Sequence, residues 1–352
     1  MHEILKEFSK QFTIDYARQR AALREQDNSP DAYRGPELFP SAPTNELTFE
    51  FFKDLNLLPV MASVQAFGAE AQIASREGVE RVTGEIPTIK RKIPLNGRAL
   101  IALRREGAGD LDFVANQLYN DMDNMIDATL ARAEKLRMDA LTKGKIELSE
   151  NGVIMTVDYG IPAEHKRVLG TGAGYAKWSN QEDANPIDNI QTWTNKIVDS
   201  TGITPTRAWT SNTVVANLLK CVEIRKMIYG TEGATRQFTL DQLNNLLQTM
   251  NLPIISTYNA RVRQQKNDGE YVAERFFDEK KFVLMPEGKL GDLLVGPTEE
   301  AMLDTEVDAK EMAGAYCVVY QEMEPPMLWT KAALTAIPTF PAAKTIFQAE
   351  VI

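Results

Sequence analysis

Cysteine and histidine are scarce in this chain of 352 residues, which excludes several kinds of site. The two cysteines, Cys221 and Cys317, are not in CxxC spacing, so they supply neither a disulfide framework nor a cysteine zinc site. The two histidines, His2 and His165, cannot form an HExxH motif or a pair one helical turn apart. This usage fits a reducing compartment, and we expect His165 to be a surface loop residue.

Long apolar runs are also missing. The strongest apolar stretches, Leu55–Val64 and Gly314–Tyr320, fall far short of the ~18 residues that cross a bilayer. Residues 1–12 are charged and lack the apolar centre of a secretory signal. The sequence therefore predicts neither a membrane span nor export, and we expect no membrane partner.

Basic residues are outnumbered, with 39 Lys and Arg against 49 Asp and Glu and a net charge of −10. An acidic surface repels phosphate backbones, so general nucleic-acid binding is not expected. The length predicts about two domains, and the composition is that of a folded globular chain.

The first 48 residues begin with a helical pattern and then contain four prolines within a short stretch. Proline disfavours helix interiors and central strands, which predicts an extended arm that cannot bury itself and must lie on something else. These prolines are Pro30, Pro36, Pro40 and Pro43.

Residues 66–104 read as a long polar hairpin. Short alternating stretches at 71–75 and 86–93 precede Asn96-Gly97, a turn signal. The second stretch holds two prolines and three adjacent cations, which suits an exposed edge. Such a hairpin buries too little apolar surface to fold alone, so we expect it to pack on a neighbouring molecule.

The clearest element is a helix over residues 109–143. Nine mostly apolar positions between Leu111 and Ala140 recur with a mean spacing of about 3.6 residues, the period of an amphipathic helix. Acidic residues at its start and Lys143-Gly144 at its end match the dipole and capping rules. Its length of about 50 Å indicates a strut.

The remaining chain mixes helices and strands. Lys145–Leu148 and Val153–Asp158 flank Asn151-Gly152 and predict a second hairpin. Alternating helices and strands over residues 186–290 predict a compact α/β domain, interrupted by a polar loop at 259–270. Strands are predicted beyond Lys281, including a short one at Met327–Trp329.

Catalytic and cofactor motifs are poorly supplied. The loop Gly170–Gly174 lacks the final glycine of GxGxxG, and no Walker lysine follows it. Asp121, Asp123 and Asp127 are better interpreted as the polar face of the long helix than as a cation site. We therefore expect no catalytic residue, no metal and no cofactor.

The order of elements and several short motifs resemble the lambda-type tailed-phage major capsid protein (protein E) family. The resemblance covers nearly the whole chain, with Asn185 at a position where the family often has aspartate. The motifs are Leu141–Lys145, Val157–Gly160, Trp178-Ser179, Asn185–Ile190, Phe282–Gly291 and Gly296–Glu299.

The resemblance implies an α+β fold, the capsid fold of the Hong Kong phage type. By position, residues 1–48 would be the N-terminal arm and 66–104 the extended E-loop. The peripheral P-domain would comprise 49–65, 105–185 and about 291–325, including the spine helix 109–143. The axial A-domain would comprise 186–290 and about 326–352.

Two sets of residues are implied as contacts between subunits. The E-loop set is Ile89, Lys90, Arg91 and Lys92. The set facing the capsomer axis is Arg261, Arg263, Lys266, Asp268 and Glu270.

The resemblance implies a major capsid protein that self-assembles through hexamers and pentamers of one chain into an icosahedral shell, without turnover or cofactor. Expected partners are further copies of the chain, a separate scaffolding protein, a portal and a decoration protein. Double-stranded DNA would be enclosed without sequence-specific binding, and assembly would occur in the host cytoplasm. The alternatives are the shell of an encapsulin-like compartment and an enzyme of unknown class.

Overall fold

The computed structural model describes residues 8–27, 32–53, 58, 61–62, 64–65, 80–96, 110–170, 176–230, 236–265, 269–302, 314–324 and 326–352. The helices are α1 (Lys10–Gln26), α2 (Gly35–Leu38), α3 (Asp110–Lys143), α4 (Pro186–Thr201), α5 (Asn212–Leu218), α6 (Val222–Tyr229), α7 (Leu240–Thr249) and α8 (Glu299–Met302). The strands are β1 (Ser41–Pro43), β2 (Thr48–Lys53), β3 (Glu80–Glu85), β4 (Thr88–Asn96), β5 (Lys145–Glu150), β6 (Val153–Asp158), β7 (Lys166–Val168), β8 (Arg207–Thr210), β9 (Ile254–Thr257), β10 (Arg261–Gln265), β11 (Tyr271–Arg275), β12 (Lys281–Met285), β13 (Leu293–Gly296), β14 (Tyr316–Met323), β15 (Pro326–Pro338) and β16 (Phe347–Glu350).

The chain forms two units, each assembled from separate segments. The first comprises Met1–Phe49, Thr83–Met138 and Gly291–Thr339, and the second comprises Glu50–Val82, Asp139–Leu290 and Phe340–Ile352. These bounds differ from those expected from the sequence. Residues 326–338 lie in the first unit, because β15 pairs there with β4, β13 and β14. Residues 139–185 lie in the second unit with the α/β segment.

A five-stranded sheet organises the first unit, in the order β1-β13-β15-β14, with β4 also paired to β15. The α3 side chains predicted to be apolar pack against this sheet: Leu118, Met122 and Ala133 share one core with Leu328 and Leu334. The predicted helix is confirmed within one residue at its start, and its C-cap is Gly144 at φ +70°.

The N-terminal segment differs from the predicted extended arm. Residues Lys10–Gln26 form helix α1, which begins at Ser9, whose Oγ accepts a hydrogen bond from the Phe12 N–H. Beyond it, Leu38 and Phe39 are completely buried. The prolines are accommodated because Pro36 occupies the first turn of α2 and Pro43 ends β1, which pairs only with β13 among the described strands.

The predicted hairpin over 66–104 is described only in part, because Ala71–Ser75 and Gly97 lie outside the described residues. Its two described strands pair with strands elsewhere in the chain: β3 with β2, and β4 with β15 over Thr88–Asn96. Strand β4 is an edge strand, as its prolines and cations predicted, but it is the edge of the first unit's own sheet.

The second unit contains a five-stranded sheet in the order β7-β16-β12-β8-β9. Helix α4 buries Ile187, Ile190, Trp193 and Ile197 along one face, and its C-cap Gly202 has φ +71°. The aromatic centre of this core stacks Trp193 on Phe347, with ring centroids 5.2 Å apart. The predicted β5/β6 hairpin is present, with Asn151 and Gly152 both at positive φ.

His165 is an exception to the sequence-based expectation, because it is fully buried and not on the surface. Its Nε2 lies 2.8 Å from Ser200 Oγ. The single hydroxyl proton of Ser200 is directed at the Lys196 carbonyl, 2.9 Å away, so the histidine Nε2 is the donor. This pair holds α4 against Ala163–His165 and does not activate a serine nucleophile.

None of the helices in the described part of the chain is long and apolar enough to cross a membrane. Across these same residues, no group of three His, Cys, Asp or Glu side chains could hold a metal ion. Cys221 and Cys317 are both buried and free.

Candidate assembly surfaces

The four residues expected to form the E-loop contact lie side by side on β4. Ile89 packs on the sheet's apolar core together with Ile93 and Leu95. Lys90, Arg91 and Lys92 are all exposed on this edge strand. The β-strand alternation thus anchors β4 through its odd-numbered apolar residues and places a cationic stretch at the edge of the sheet.

Lys90 is held by an ion-pair cluster within the chain. Its Nζ bonds Glu299 and lies 3.0 Å from Glu300 Oε1, which also accepts from Lys331 Nζ at 2.6 Å. Burial alone would lower the pKa of Lys90, but the hydrogen bonds from both glutamates raise it. The cluster therefore fastens β4 to α8 and neutralises one charge of the triplet.

Lys92 uses a different partner. Its Nζ lies 4.2 Å from the centroid of the Trp329 ring on the adjacent strand, a cation–π contact. Trp329 in turn donates its Nε1–H to Glu322 Oε2 at 2.6 Å. The sequence signalled the cations but not these partners, because Trp329 and Glu299 lie more than 200 residues further along the chain.

The segment expected as a polar axis loop is a β-hairpin. Strand β10 pairs with β11 from Arg261↔Arg275 to Gln265↔Tyr271, which brings Arg261 and Arg263 onto one strand. The guanidinium of Arg263 lies 5.7 Å from the Tyr271 ring centroid. Glu270 is exposed beside the turn, whereas Lys266 and Asp268 lie outside the described residues. The signal for a hairpin was the Asn-Asp-Gly sequence between two alternating stretches.

This hairpin is exposed on both faces. Tyr271 is 57 % exposed and Val272 40 %, and of the ten residues in the two strands only Val262 and Arg275 are half-buried. A two-stranded hairpin in water is marginally stable without a covering surface. The exposed tyrosine and valine are therefore suited to contact another molecule.

Sequence reasoning missed a polar network between α1 and α3. Arg20 and Arg24 both bond the carboxylate of Asp127, each with an Nη2–Oδ2 distance of 2.8 Å. Asp123 pairs with Arg20 Nη1 at 2.7 Å and accepts from the Tyr16 hydroxyl at 2.7 Å. The i, i+4 spacing of Tyr16, Arg20 and Arg24 matches that of Asp123 and Asp127 and was the available signal. These aspartates thus anchor the N-terminal helix.

A family comparison identifies the chain. The profile of the family described as phage major capsid protein E matches residues 17–351. The chain belongs to this family. It is therefore the structural protein of a tailed-phage capsid, and neither the compartment shell nor the enzyme is favoured.

Solved structures agree with the fold of this capsid protein. A protein described as a prophage capsid protein of E. coli CFT073 is 17 % identical, with a TM-score of 0.60, covering 95 % of this chain and 96 % of that one. A phage-related protein from Bordetella bronchiseptica RB50 is 14 % identical, with a TM-score of 0.54 and coverages of 94 % and 96 %. A search of curated protein sequences found no match. The predicted α+β capsid fold is confirmed.

Proposed function

We propose that this capsid protein builds an icosahedral shell from hexamers and pentamers of a single chain, without catalysis. The observation that carries the proposal is the β10/β11 hairpin, whose Tyr271 and Val272 are uncovered in the isolated chain. Around a capsomer axis, five or six copies would cover one another and bury these side chains.

We propose that the first unit serves as the P-domain and the second as the A-domain. Helix α3 would be the spine helix, and the segment containing β3 and β4 the base of the E-loop. Ile89, Lys90, Arg91 and Lys92 would contact a neighbouring copy through the free edge of β4, a geometry that permits strand addition.

Further partners follow from the proposed shell. A separate scaffolding protein would direct assembly, a portal would occupy one vertex, and a decoration protein could bind outside. Double-stranded DNA would be enclosed without sequence-specific contacts, in keeping with the net charge of −10. Assembly would take place in the host cytoplasm.

The experiment is cryo-electron microscopy of particles formed by the full chain, alone and with Tyr271→Ser and Val272→Ser together. We expect closed shells from the parent chain and a soluble, folded, unassembled variant. The matched control is Met250→Ser with Ile254→Ser, because both side chains are similarly exposed outside the hairpin. Normal shells from the hairpin variant would contradict the proposed axial role.

The E-loop contact needs a separate test, because deleting Gly84–Asn96 would remove β4 from the sheet. Arg91→Ser with Lys92→Ser keeps the strand and the Lys90 cluster. We expect fewer shells at unchanged circular dichroism, whereas Lys166→Ser with Lys220→Ser, at two exposed lysines elsewhere, should assemble as the parent does. Equal yields from both variants would remove β4 from the proposed interface.

A further inference from the structure

A cavity of about 190 Å³ lies within the first unit, where α1, α3 and the sheet meet. Its apolar wall comes from all three: Ala21 on α1, Leu130 and Ala133 on α3, and Leu293 and Leu334 on the sheet. A cavity of about 150 Å³ with such a lining can hold benzene. The space therefore accommodates an apolar body of six or more carbon atoms.

The polar part of the lining is cationic. Three guanidinium groups, Arg18, Arg24 and Arg137, face a single carboxylate, Glu25. Arg24 is bonded to Asp127, and Arg137 places its Nη2 3.0 Å from Glu25 and 3.3 Å from Ser41 Oγ. Even so, one positive charge more than these two pairs consume remains in the lining, and a cationic surface next to an apolar cavity favours an amphipathic anion.

Arg137 also retains a donor. The side chain is only 4 % exposed, and its Nε is buried without a hydrogen-bond partner. A buried donor without an acceptor is costly, and an acceptor that enters the cavity removes that cost. A carboxylate is the strongest acceptor of this size for a guanidinium.

We propose that this cavity binds a small monocarboxylate with an apolar tail of about five to seven carbon atoms. The tail fills the space between Ala21, Ala133 and Leu334, and the carboxylate lies with Arg137. Because the ligand contacts α1, α3 and the sheet together, it fastens the N-terminal helix to the rest of the first unit. The ligand thus acts as a stabiliser of α1, independently of how the shell is built.

The test uses hexanoate as the probe and 1-hexanol as its uncharged analogue, with the purified full chain. We expect saturable binding of hexanoate in calorimetry, and a rise in Tm of about 3–5 °C at ten times its Kd. Trypsin cleavage at Arg18, Arg20 and Arg24 should slow in parallel, because the ligand holds α1 in place. Hexanol should bind at least tenfold more weakly.

Two variants on α1 separate cavity binding from general effects. Ala21→Leu places a larger side chain in the cavity and should abolish both the Tm shift and the trypsin protection. Gln19→Leu introduces the same side chain on the exposed side of the helix and should respond to hexanoate as the parent does. An equal response in Ala21→Leu, or no saturable response in the parent chain, would overturn the site. Equal binding of hexanol and hexanoate would overturn the carboxylate assignment.

Discussion

Glu134 and Arg137, one turn apart on α3, are both buried, and the arginine Nη1 lies 3.6 Å from the glutamate Oε2. The Gly35 N–H donates to the other glutamate oxygen at 2.9 Å. A Cβ added to Gly35 would lie 2.2 Å from Glu134 Oε2, so only glycine permits this approach. The carboxylate therefore joins α3 to the start of α2.

Replacing Glu134 should be strongly destabilising. We expect Glu134→Leu to lower the free energy of unfolding by about 3–5 kcal/mol, because the change leaves the buried Arg137 charge poorly compensated and the Gly35 N–H without its acceptor. Glu37→Leu is the control, since Glu37 is exposed, and should change stability by less than about 1 kcal/mol. Urea unfolding followed by circular dichroism measures both, and equal losses would contradict the argument.

Asp127 should make the anchoring of α1 dependent on acid pH. Burial tends to raise its pKa, but the hydrogen bonds from Arg20 and Arg24 outweigh burial and lower it. A carboxyl whose pKa is lower in the folded state contributes stability above its unfolded pKa of about 3.9, and this stability is lost as the pH falls below that value.

Asp127→Asn tests this dependence. We expect the variant to lose about 1–3 kcal/mol at pH 7 and to show a smaller further loss than the parent between pH 5 and pH 3. Hydrogen exchange of the α1 amides reports the local effect. Asp15→Asn, on the exposed face of α1, is the matched control. Parallel pH curves for the parent and Asp127→Asn would refute the assigned role.

His165 should destabilise the second unit at mildly acid pH. Burial lowers its pKa below the ordinary value of 6.5, so the folded state binds fewer protons than the unfolded state. Stability must therefore fall as the pH drops below about 6.5. We expect His165→Gln to be less stable at pH 7.5 but to lose less stability between pH 7.5 and pH 5.5. Urea midpoints across this range provide the measurement, and an unchanged slope would exclude His165 as the source.

The axis hairpin should respond to salt. If five or six copies meet at an axis, Asp268→Lys with Glu270→Lys would leave the hairpin turn without carboxylates beside Arg261, Arg263 and Lys266. Repulsion is screened over about 30 Å at 0.01 M salt and about 3 Å at 1 M, so assembly should suffer more at low salt. Sedimentation of assembled material at both salts measures this. Glu182→Lys with Glu287→Lys makes the same charge change elsewhere and should show a smaller salt effect, whereas equal effects would argue against an axial position.

Local signals predicted the elements that form from their own sequence. The period of α3, the Asn151-Gly152 turn and the Arg207–Thr210 strand all agree with the structure. Signals that depend on distant partners were missed. Only Met327–Trp329 was expected as a strand, yet β15 runs for 13 residues, because β14 pairs on one side and β4 and β13 on the other.

The candidate surfaces follow the same division. The alternation and turn residues of 261–275 were visible in the sequence, but their pairing was not inferred because the segment is so polar. The prolines of residues 30–43 suggested an exposed arm, since nothing local indicates that Leu38 and Phe39 are buried by the first unit's distant segments.

The interleaving of the two units sets a timetable for synthesis. Strand β1 waits for β13, which is made roughly 250 residues later, or about 13–50 s at ordinary rates of translation. Strand β16, which lies between β7 and β12, comes from residues 347–350. Neither unit can therefore close on a nascent chain that stops before these segments, so premature assembly on the ribosome is disfavoured by the order in which the strands are made.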